Sequence, residues 1–416
     1  MTGIWKGFPQ YAQHYFYGYI YLYIITDTSM LAGIGPDARI PQEERTMKFT
    51  CSANTLTEAL QIVTKALPGR TTNQILEGIL VQTDMNEVIL TCSDERITIV
   101  TRMEAYVTEP GRGVVPGKLF NEIVRRLPEG DIEISMNDRF VFTIRGAGNR
   151  TNMSGQDADL FPALPSISGE KEVSLPQDML KDMIQKTEFA IAVEDAREVL
   201  TGCLLEIANG DVNMVALDGF RLALKRAKCG DVLEKLSAII PGRAVGDIGK
   251  LLSDDPEAFA TLSFGGNKLH IKLEKTEIFV ILVKGEYIQY RQILPNRFAT
   301  RVVVELEPFR RGIDRAALIA REGNNNLLVL KIADGEMAIE AHSQIGDVYE
   351  KLEIQQEGAN LNIAFNVKYL TDVVRFIDAD QIEINMNNAI SPCVITPLGD
   401  QDYLHLVLPV RTGATN

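Results

Sequence analysis

One amphipathic helix is written three times in this chain, at a spacing of 125 residues. In residues 116–127, PGKLFNEIVRRL, the side chains Leu119, Phe120, Ile123, Val124 and Leu127 make the apolar stripe of a helix packed on one side. Lys118 and Arg125 lie two turns apart on one line beside it. Ala244, Val245, Ile248, Gly249 and Leu252 repeat the stripe, flanked by Arg243 and Lys250. Tyr369, Leu370, Val373, Val374 and Ile377 repeat it again, flanked by Lys368 and Arg375. Packing accounts for the apolar repeat. Ordinary solvated helix surfaces also carry Lys and Arg, but this chain has a formal net charge of −14. The sharper reading is three equivalent helices that present cations to one polyanion.

The rest of the chain follows the same spacing. From Met47 the pattern predicts a strand at 47–50, then a helix at 55–66 capped by Asn54, with Leu56, Ala59, Leu60 and Val63 inward. Strands at 79–83 and 88–92 surround the turn 84–87, a strand at 97–101 follows, and helix 117–127 leads to a hairpin of 131–136 and 139–144. A Pro- and Ser-rich linker is expected at 157–172. The second copy reads as strand 173–175, helix 176–186, a hairpin of 204–208 and 212–216 about Asn209-Gly210, helix 243–252, and strands about Gly265-Gly266. A second linker is read at 289–299. The third copy reads as strand 301–306, helix 308–320, a hairpin over 327–341 about Asp334-Gly335, helix 367–377, strand 381–386 and closing strand 403–410. QIEINM at 381–386 matches DIEISM at 131–136.

This is a domain triplication rather than a short-period solenoid. Each copy is two halves of strand, helix and further strands, an α+β arrangement with helices on one side and a continuous sheet on the other. The expected domains are 47–170, 171–298 and 299–412, with 413–416 as a short tail. Residues 1–46 stand outside the repeat. Their apolar stretch at 15–25, YFYGYIYLYII, is too short to span a bilayer as a helix and lacks the flanks of a signal peptide. They are read as a translated upstream region or an extension, with Met47 as the true initiator.

A pI near 4.9 argues against a chain that is basic all over, yet leaves room for a basic stripe on an acidic body. Cys51, Cys92, Cys203, Cys229 and Cys393 are scattered without a CxxC, which reads as buried thiols in a reducing cytoplasm. His14, His270, His342 and His405 are isolated. No sequence motif calls for a metal or cofactor.

LTG at 200–202, LDGFRLA at 217–223, IIPGR at 239–243, FNVKYL at 365–370 and LVLPVR at 406–411 give the chain a specific likeness. From Met47 to about Thr412 it resembles the bacterial β sliding clamps, the processivity subunits of replicative DNA polymerases. The resemblance implies the DNA-clamp fold and a head-to-tail homodimer, two three-domain crescents closed into a ring. Twelve helices would line a hole that holds duplex DNA without sequence preference. Lys118, Arg125, Arg243, Lys250, Lys368 and Arg375 would face the hole, helped by Lys181, Lys186, Arg310, Arg315 and the loop residue Arg70. The closure would set residues 148–154, with Asn152 and Ser154, against Leu318 and Ile319.

The resemblance also implies a pocket for short peptides of the replicative polymerase, the clamp loader, and other polymerases and repair proteins. Its walls would be Leu200, Leu217, Gly219, Leu222, Pro241, Val245, Asn366, Tyr369, Pro392, Leu406, Leu408, Pro409, Val410 and Arg411. Leu217 stands where the family often has Thr, and Leu408 and Val410 where Met is common. Glu198 and Val199 replace aromatic residues of some members. No catalytic site is implied. Two rival readings remain at this level: a metal-dependent hydrolase acting on DNA through Asp218, Asp254 and Asp255, and a scaffold that never encircles DNA.

Overall fold

The computed structural model describes residues 46–167, 171–230, 235–323 and 326–411. The expectations for residues 1–45 and for the tail after Arg411 lie outside these described residues.

Among the described residues six main helices come in three pairs: α1 (Ala53–Val63) with α2 (Gly117–Val124), α3 (Gln177–Gln185) with α4 (Gly242–Gly249), and α5 (Leu306–Ala320) with α6 (Val367–Arg375). Most of each apolar stripe read from the sequence is buried, with Phe120 and Val124 on α2, Val245 and Ile248 on α4, and Leu370 and Val373 on α6; Leu119, read as part of the first stripe, is instead 52% exposed. Pro116, Pro176 and Pro241 stand just before α2, α3 and α4 with φ near −55°, the value a helix entry needs. The first helix corrects the sequence reading. It starts at Ala53, so Asn54 lies inside it and Ser52 is the cap residue, without a side-chain cap bond. The Ala53 amide donates instead to the Gly130 carbonyl at 2.9 Å, so a tertiary contact replaces a local cap.

The hairpin turns fix the repeat. Asn209 and Gly210 have φ of 53° and 80°, and Asp334 and Gly335 have 52° and 82°, the two left-handed residues of a type I′ turn. At the equivalent place in the first copy Met85 takes φ of 44°, a conformation that Asn or Asp accepts more readily.

The described residues form four antiparallel sheets, on the side away from the helix row. A five-stranded sheet holds Tyr106–Glu109, Met47–Ser52, Asp131–Met136, Val141–Gly146 and Asn149–Ser154. An eight-stranded sheet holds Lys171–Pro176, Phe259–Gly265, Lys268–Lys272, Thr276–Ile281, Ile97–Glu104, Glu87–Ser93, Gly78–Asp84 and Arg112–Pro116. A nine-stranded sheet holds Leu236–Pro241, Gly202–Ala208, Asp211–Leu217, Arg221–Lys228, Tyr403–Val407, Cys393–Pro397, Gln381–Met386, Thr300–Glu305 and Gln355–Gly358. A four-stranded sheet holds Gly346–Glu353, Glu336–Ser343, Leu327–Ala333 and Leu361–Asn366.

The two larger sheets cross the domain boundaries. Thr276–Ile281 of the second domain pairs with Ile97–Glu104 of the first, and Tyr403–Val407 of the third pairs with Arg221–Lys228 of the second. Alternation along Tyr403–Val407 sends Tyr403, His405 and Val407 inward and Leu404 and Leu406 outward. The inward faces and the helices enclose the core, with Phe49, Leu56, Phe120 and Ile134 in the first domain and Phe309, Leu330, Phe365 and Ile384 in the third. Two edge strands, Asn149–Ser154 and Gly346–Glu353, end the outermost sheets. Among the described residues no helix is long and apolar enough to cross a membrane.

Candidate nucleic-acid interface, peptide groove and closure edges

The helix pairs join into one row. Arg243 at the start of α4 donates to the carbonyls of Lys65 and Leu67 just beyond α1, and pairs with Asp94 at 2.7 Å. Phe189, beyond α3, stacks on Phe376 at the end of α6 with ring centroids 5.1 Å apart. The order is therefore α2, α1, α4, α3, α6, α5, and the solvent sides of these helices form one face. Lys118, Arg125, Lys250, Lys368 and Arg375 are exposed on it, and Arg70 is exposed in the loop after α1.

Other expected cations have structural employment. Lys181 pairs with Asp254 and Lys186 with Asp182, at 2.6 and 2.7 Å. Arg310 donates to the carbonyls of Val374 and Ile377 at 2.9 and 3.1 Å, which caps the C-terminus of α6 with a cation. Arg315 holds Glu350 with two bonds of 2.5 and 2.8 Å, tying α5 to the edge strand Gly346–Glu353, and lowers the Glu350 carboxyl through that hydrogen bond.

The residues expected to line a peptide groove gather at the junction between the second and third domains. Leu200, Leu217, Leu222 and Leu406, all buried, belong to one apolar cluster there, with half-buried Leu408 packed against it. Tyr287, Tyr290 and Leu294 of the connecting segment cover its other side. The C-terminal run crosses from one domain to the next: the Leu408 amide donates to the Phe220 carbonyl and the Val410 amide to the Ala364 carbonyl, at 2.8 and 2.7 Å. Pro409 and Val410 stay half-buried and Arg411 is exposed. Tyr369 is half-buried on α6, and Phe220 stacks on it with centroids 5.9 Å apart. Gly219, with φ of 86°, makes the turn that presents Phe220. Burial, and after it the Asp218 carboxylate, raises the Tyr369 hydroxyl above its ordinary value.

Val245 is fully buried in the main core beneath α4 and offers no surface. Pro241 ends the edge strand of the sheet, where it pairs with Gly202 beside Leu200. The Asn366 side chain caps α6 by accepting from the Lys368 amide at 3.0 Å. Pro392 is half-buried just before Cys393–Pro397. A groove of about 630 Å³ continues the patch past Val394 and Leu404 to Leu294, Pro295 and Phe298 of the connecting segment.

Behind the groove sits a residue that spacing alone did not single out. Arg221 is 7% exposed, pairs with Asp218 at 3.0 Å and with Asp372 of α6, and stacks its guanidinium over Phe189 and Tyr369. It locks the two domains together. Asp218, a candidate metal ligand in the hydrolase reading, is engaged by Arg221 and by the backbone amides of Phe220 and Arg221. Asp254 is held by Lys181. Among the described residues no three His, Cys, Asp or Glu side chains gather as metal ligands.

At the far ends, Asn152 and Ser154 are exposed on their edge strand. Leu318 is 66% exposed on α5, Ile319 is half-buried, and Ile345 and Tyr349 are exposed beside or within the other edge strand. Exposed apolar groups beside an unpaired strand edge are the features of an association surface.

Three domains of paired helices, joined strand edge to strand edge with every main helix in one row, define the DNA-clamp fold. The chain belongs to the DNA polymerase III beta subunit family: models of that subunit's N-terminal, central and C-terminal domains match residues 47–165, 174–289 and 291–411. A beta sliding clamp of Staphylococcus aureus is 33% identical over 378 residues, covering 88% of this chain and all of that protein. The crystal structure of the DNA polymerase sliding clamp from Bacillus subtilis superimposes with a TM-score of 0.85 at 32% identity, over 88% of this chain and 99% of that one. A putative DNA polymerase III beta subunit from Eubacterium rectale gives 0.84 at 30% identity, over 88% of this chain and 100% of that one.

Proposed function

We propose that the protein works as a sliding clamp in the cytoplasm: a homodimeric ring that encircles duplex DNA and tethers the replicative polymerase for processive synthesis. It would contribute topology and docking, with no chemistry of its own. The observation that carries this reading is the register of the two internal junctions. Thr276 faces Thr101 at one, and Tyr403 faces Lys225 at the other. Strand pairing within each copy makes Asn149, Thr276 and Tyr403 equivalent, and likewise Thr101, Lys225 and Glu350. Both junctions therefore use one register. Applied to the two equivalent edges, Asn149–Ser154 and Gly346–Glu353, that register sets Asn149 opposite Glu350, Thr151 opposite Val348 and Met153 opposite Gly346 of a second copy.

Side-chain parity agrees with the transfer. Arg150 and Asn152 would meet Tyr349 and Asp347, all exposed, while half-buried Thr151 would meet half-buried Val348. Leu318 on α5 would then cover the seam. Two such seams close a ring with all twelve helices inside. Exposed cations on those helices would hold phosphates weakly and without reading sequence, as sliding requires. The net charge of −14 would keep DNA off the remaining surface. A partner's extended peptide would place a Leu or Phe in the groove at Leu217, Leu222 and Leu406, with Tyr369 as one wall. The clamp loader and other polymerases would use the same groove.

Light scattering over a dilution series of residues 47–416 tests the ring. A dimer that persists to nanomolar concentration is expected, and a monomer throughout would remove the topological mechanism.

A further inference from the structure

The cations on the helix row are not equivalent, although the sequence repeats them. On α2, Lys118 has no ion pair or hydrogen bond from its side chain among the described residues. Arg125 reaches only Glu122, at 3.8 Å, and that carboxylate is shared with Arg126. On α6, Lys368 is likewise unpaired among the described residues, and Arg375 lies over the Phe376 ring at 5.4 Å. Asp372 of the same helix is already committed to Arg221. The loop residue Arg70 is also exposed without an ion pair among the described residues.

In the middle domain three of the four cations are engaged, as Arg310 and Arg315 of α5 also are, while Lys250 is held no more closely than Arg125. Lys181 is bonded to Asp254 and Lys186 to Asp182. Arg243 is bonded to Asp94 and approaches Asp247 to 3.8 Å, as does Lys250. Glu188 adds a further carboxylate beside Gly246 of α4. Burial raises the Asp247 and Glu188 carboxyls, and the Lys250 cation opposes that rise in both. A cation already hydrogen-bonded to a carboxylate has little free charge to offer a phosphate, since the phosphate must displace that partner.

We propose that the grip on DNA is carried by the first and third domains of each protomer, while the middle domain presents a self-neutralised helix face. This rests on the encircling reading above. In the row α2, α1, α4, α3, α6, α5, the neutralised helices α4 and α3 are central. In a closed ring α2 of one protomer would lie at each seam, and α6 of its partner would stand one helix away, behind α5, whose Arg310 and Arg315 are engaged. Duplex DNA then bridges the two protomers at their closure points, so bound DNA braces the seams and salt loosens that brace.

The test is equilibrium binding of a short fluorescent duplex to the full-length protein, followed by anisotropy across a salt series. One variant carries Lys118→Gln, Lys368→Gln and Arg375→Gln. A second carries Asp182→Asn and Asp254→Asn, both at exposed carboxylates, which release Lys186 and Lys181. A third carries Lys181→Gln, Lys186→Gln and Lys250→Gln. Light scattering checks that each remains in the oligomeric state of the parent. The first variant is expected to lose about tenfold or more in affinity, with the slope of log K against log salt falling by about 0.9 per phosphate contact removed. The carboxylate variant is expected to bind more tightly, with a steeper slope. Equal losses in the first and third variants, or no gain in the second, would overturn the partition while leaving encirclement intact. A parent protein that is monomeric and lacks affinity for the duplex would overturn both.

Discussion

A disulfide across the closure seam tests the transferred register residue by residue. Asn152→Cys and Asp347→Cys place thiols at positions that the internal junctions predict to be directly opposed, both on the exposed face. Opposed residues in antiparallel strands lie about 4.5–5.5 Å apart at Cα, inside the range of about 4.4–6.8 Å that a disulfide spans. Moving the second cysteine two residues along, to Tyr349→Cys, keeps the same face. It adds about 6.8 Å along the strand, so the Cα separation becomes about 8.5 Å and lies beyond reach. Moving it one residue, to Val348→Cys, turns the thiol to the other face.

The native thiols give a low background. Burial pushes Cys51 and Cys203 up to about 12 and raises Cys92, Cys393 and Cys229 as well, which disfavours the reactive thiolate in each. Mild oxidation of the matched pair should give a covalent dimer on a non-reducing gel, with the shifted pairs remaining mostly monomeric. Efficient cross-linking by the two-residue shift, or none by the matched pair in a protein that light scattering shows to be dimeric, would refute the register.

Other consequences follow from the same geometry. Arg221→Met strands Asp218 and Asp372 beside a buried apolar side chain, and should cost about 3–5 kcal/mol, read as an earlier urea transition at the junction of the second and third domains. Phe309→Ala empties a fully buried position under α5 and should cost about 3–5 kcal/mol in a urea titration followed by circular dichroism. His405 is fully buried, and burial, assisted by Arg221, holds its imidazole down at about 3 against an ordinary 6.5. The unfolded chain therefore binds the extra proton first, and stability falls as pH drops from about 6.5 towards 3. His405→Leu should flatten that dependence when urea midpoints near neutral pH and at about pH 4.5 are compared. Tyr369→Ala removes a wall of the groove and should weaken a fluorescent Leu- or Phe-bearing partner peptide by about tenfold, equivalent to about 1.4 kcal/mol. Unchanged peptide affinity would place the docking site elsewhere.

The helices were legible because their period survives in sequence: the stripes of α2, α4 and α6 are buried where the pattern set them, apart from Leu119, which is exposed. The Asn-Gly and Asp-Gly turns were legible for a local reason, since two consecutive left-handed residues narrow the choice of side chain. Strands Asp131–Met136 and Gln381–Met386 matched to the residue because alternation and a sharp charge boundary coincide there. Strands fixed by distant partners were not legible. Arg221–Lys228, RLALKRAK, is a strand because Asp211–Leu217 and Tyr403–Val407 pair with its two edges. Asn149–Ser154 and Gly346–Glu353 are polar edge strands with little apolar signal. Residue patterning marked none of the three; 148–154 entered the sequence reading only as the closure edge that the family resemblance implies.

The site divides the same way. Repetition marked the cations but could not tell free from paired, because Asp94 and Arg243 are 149 residues apart in the chain and meet only through the domain junction. Val245 illustrates the opposite failure. Its place beside a motif suggested a pocket wall, while its place on the helical stripe, also visible in the sequence, assigned it to the core where it lies. Phe220 and Arg221 lay within LDGFRLA, yet their roles depend on Tyr369 and Asp372 of another domain.

The most direct test of the central claim is retention on DNA of two topologies. The protein, assembled by a clamp loader on a nicked circular plasmid, is followed by gel filtration before and after the plasmid is cut once. A closed ring should stay with the circle and run off the linear form within the time of the column, at the same salt and with the same DNA surface on offer. Equal retention on both forms would mean that contacts rather than topology hold the protein, and would contradict the clamp mechanism.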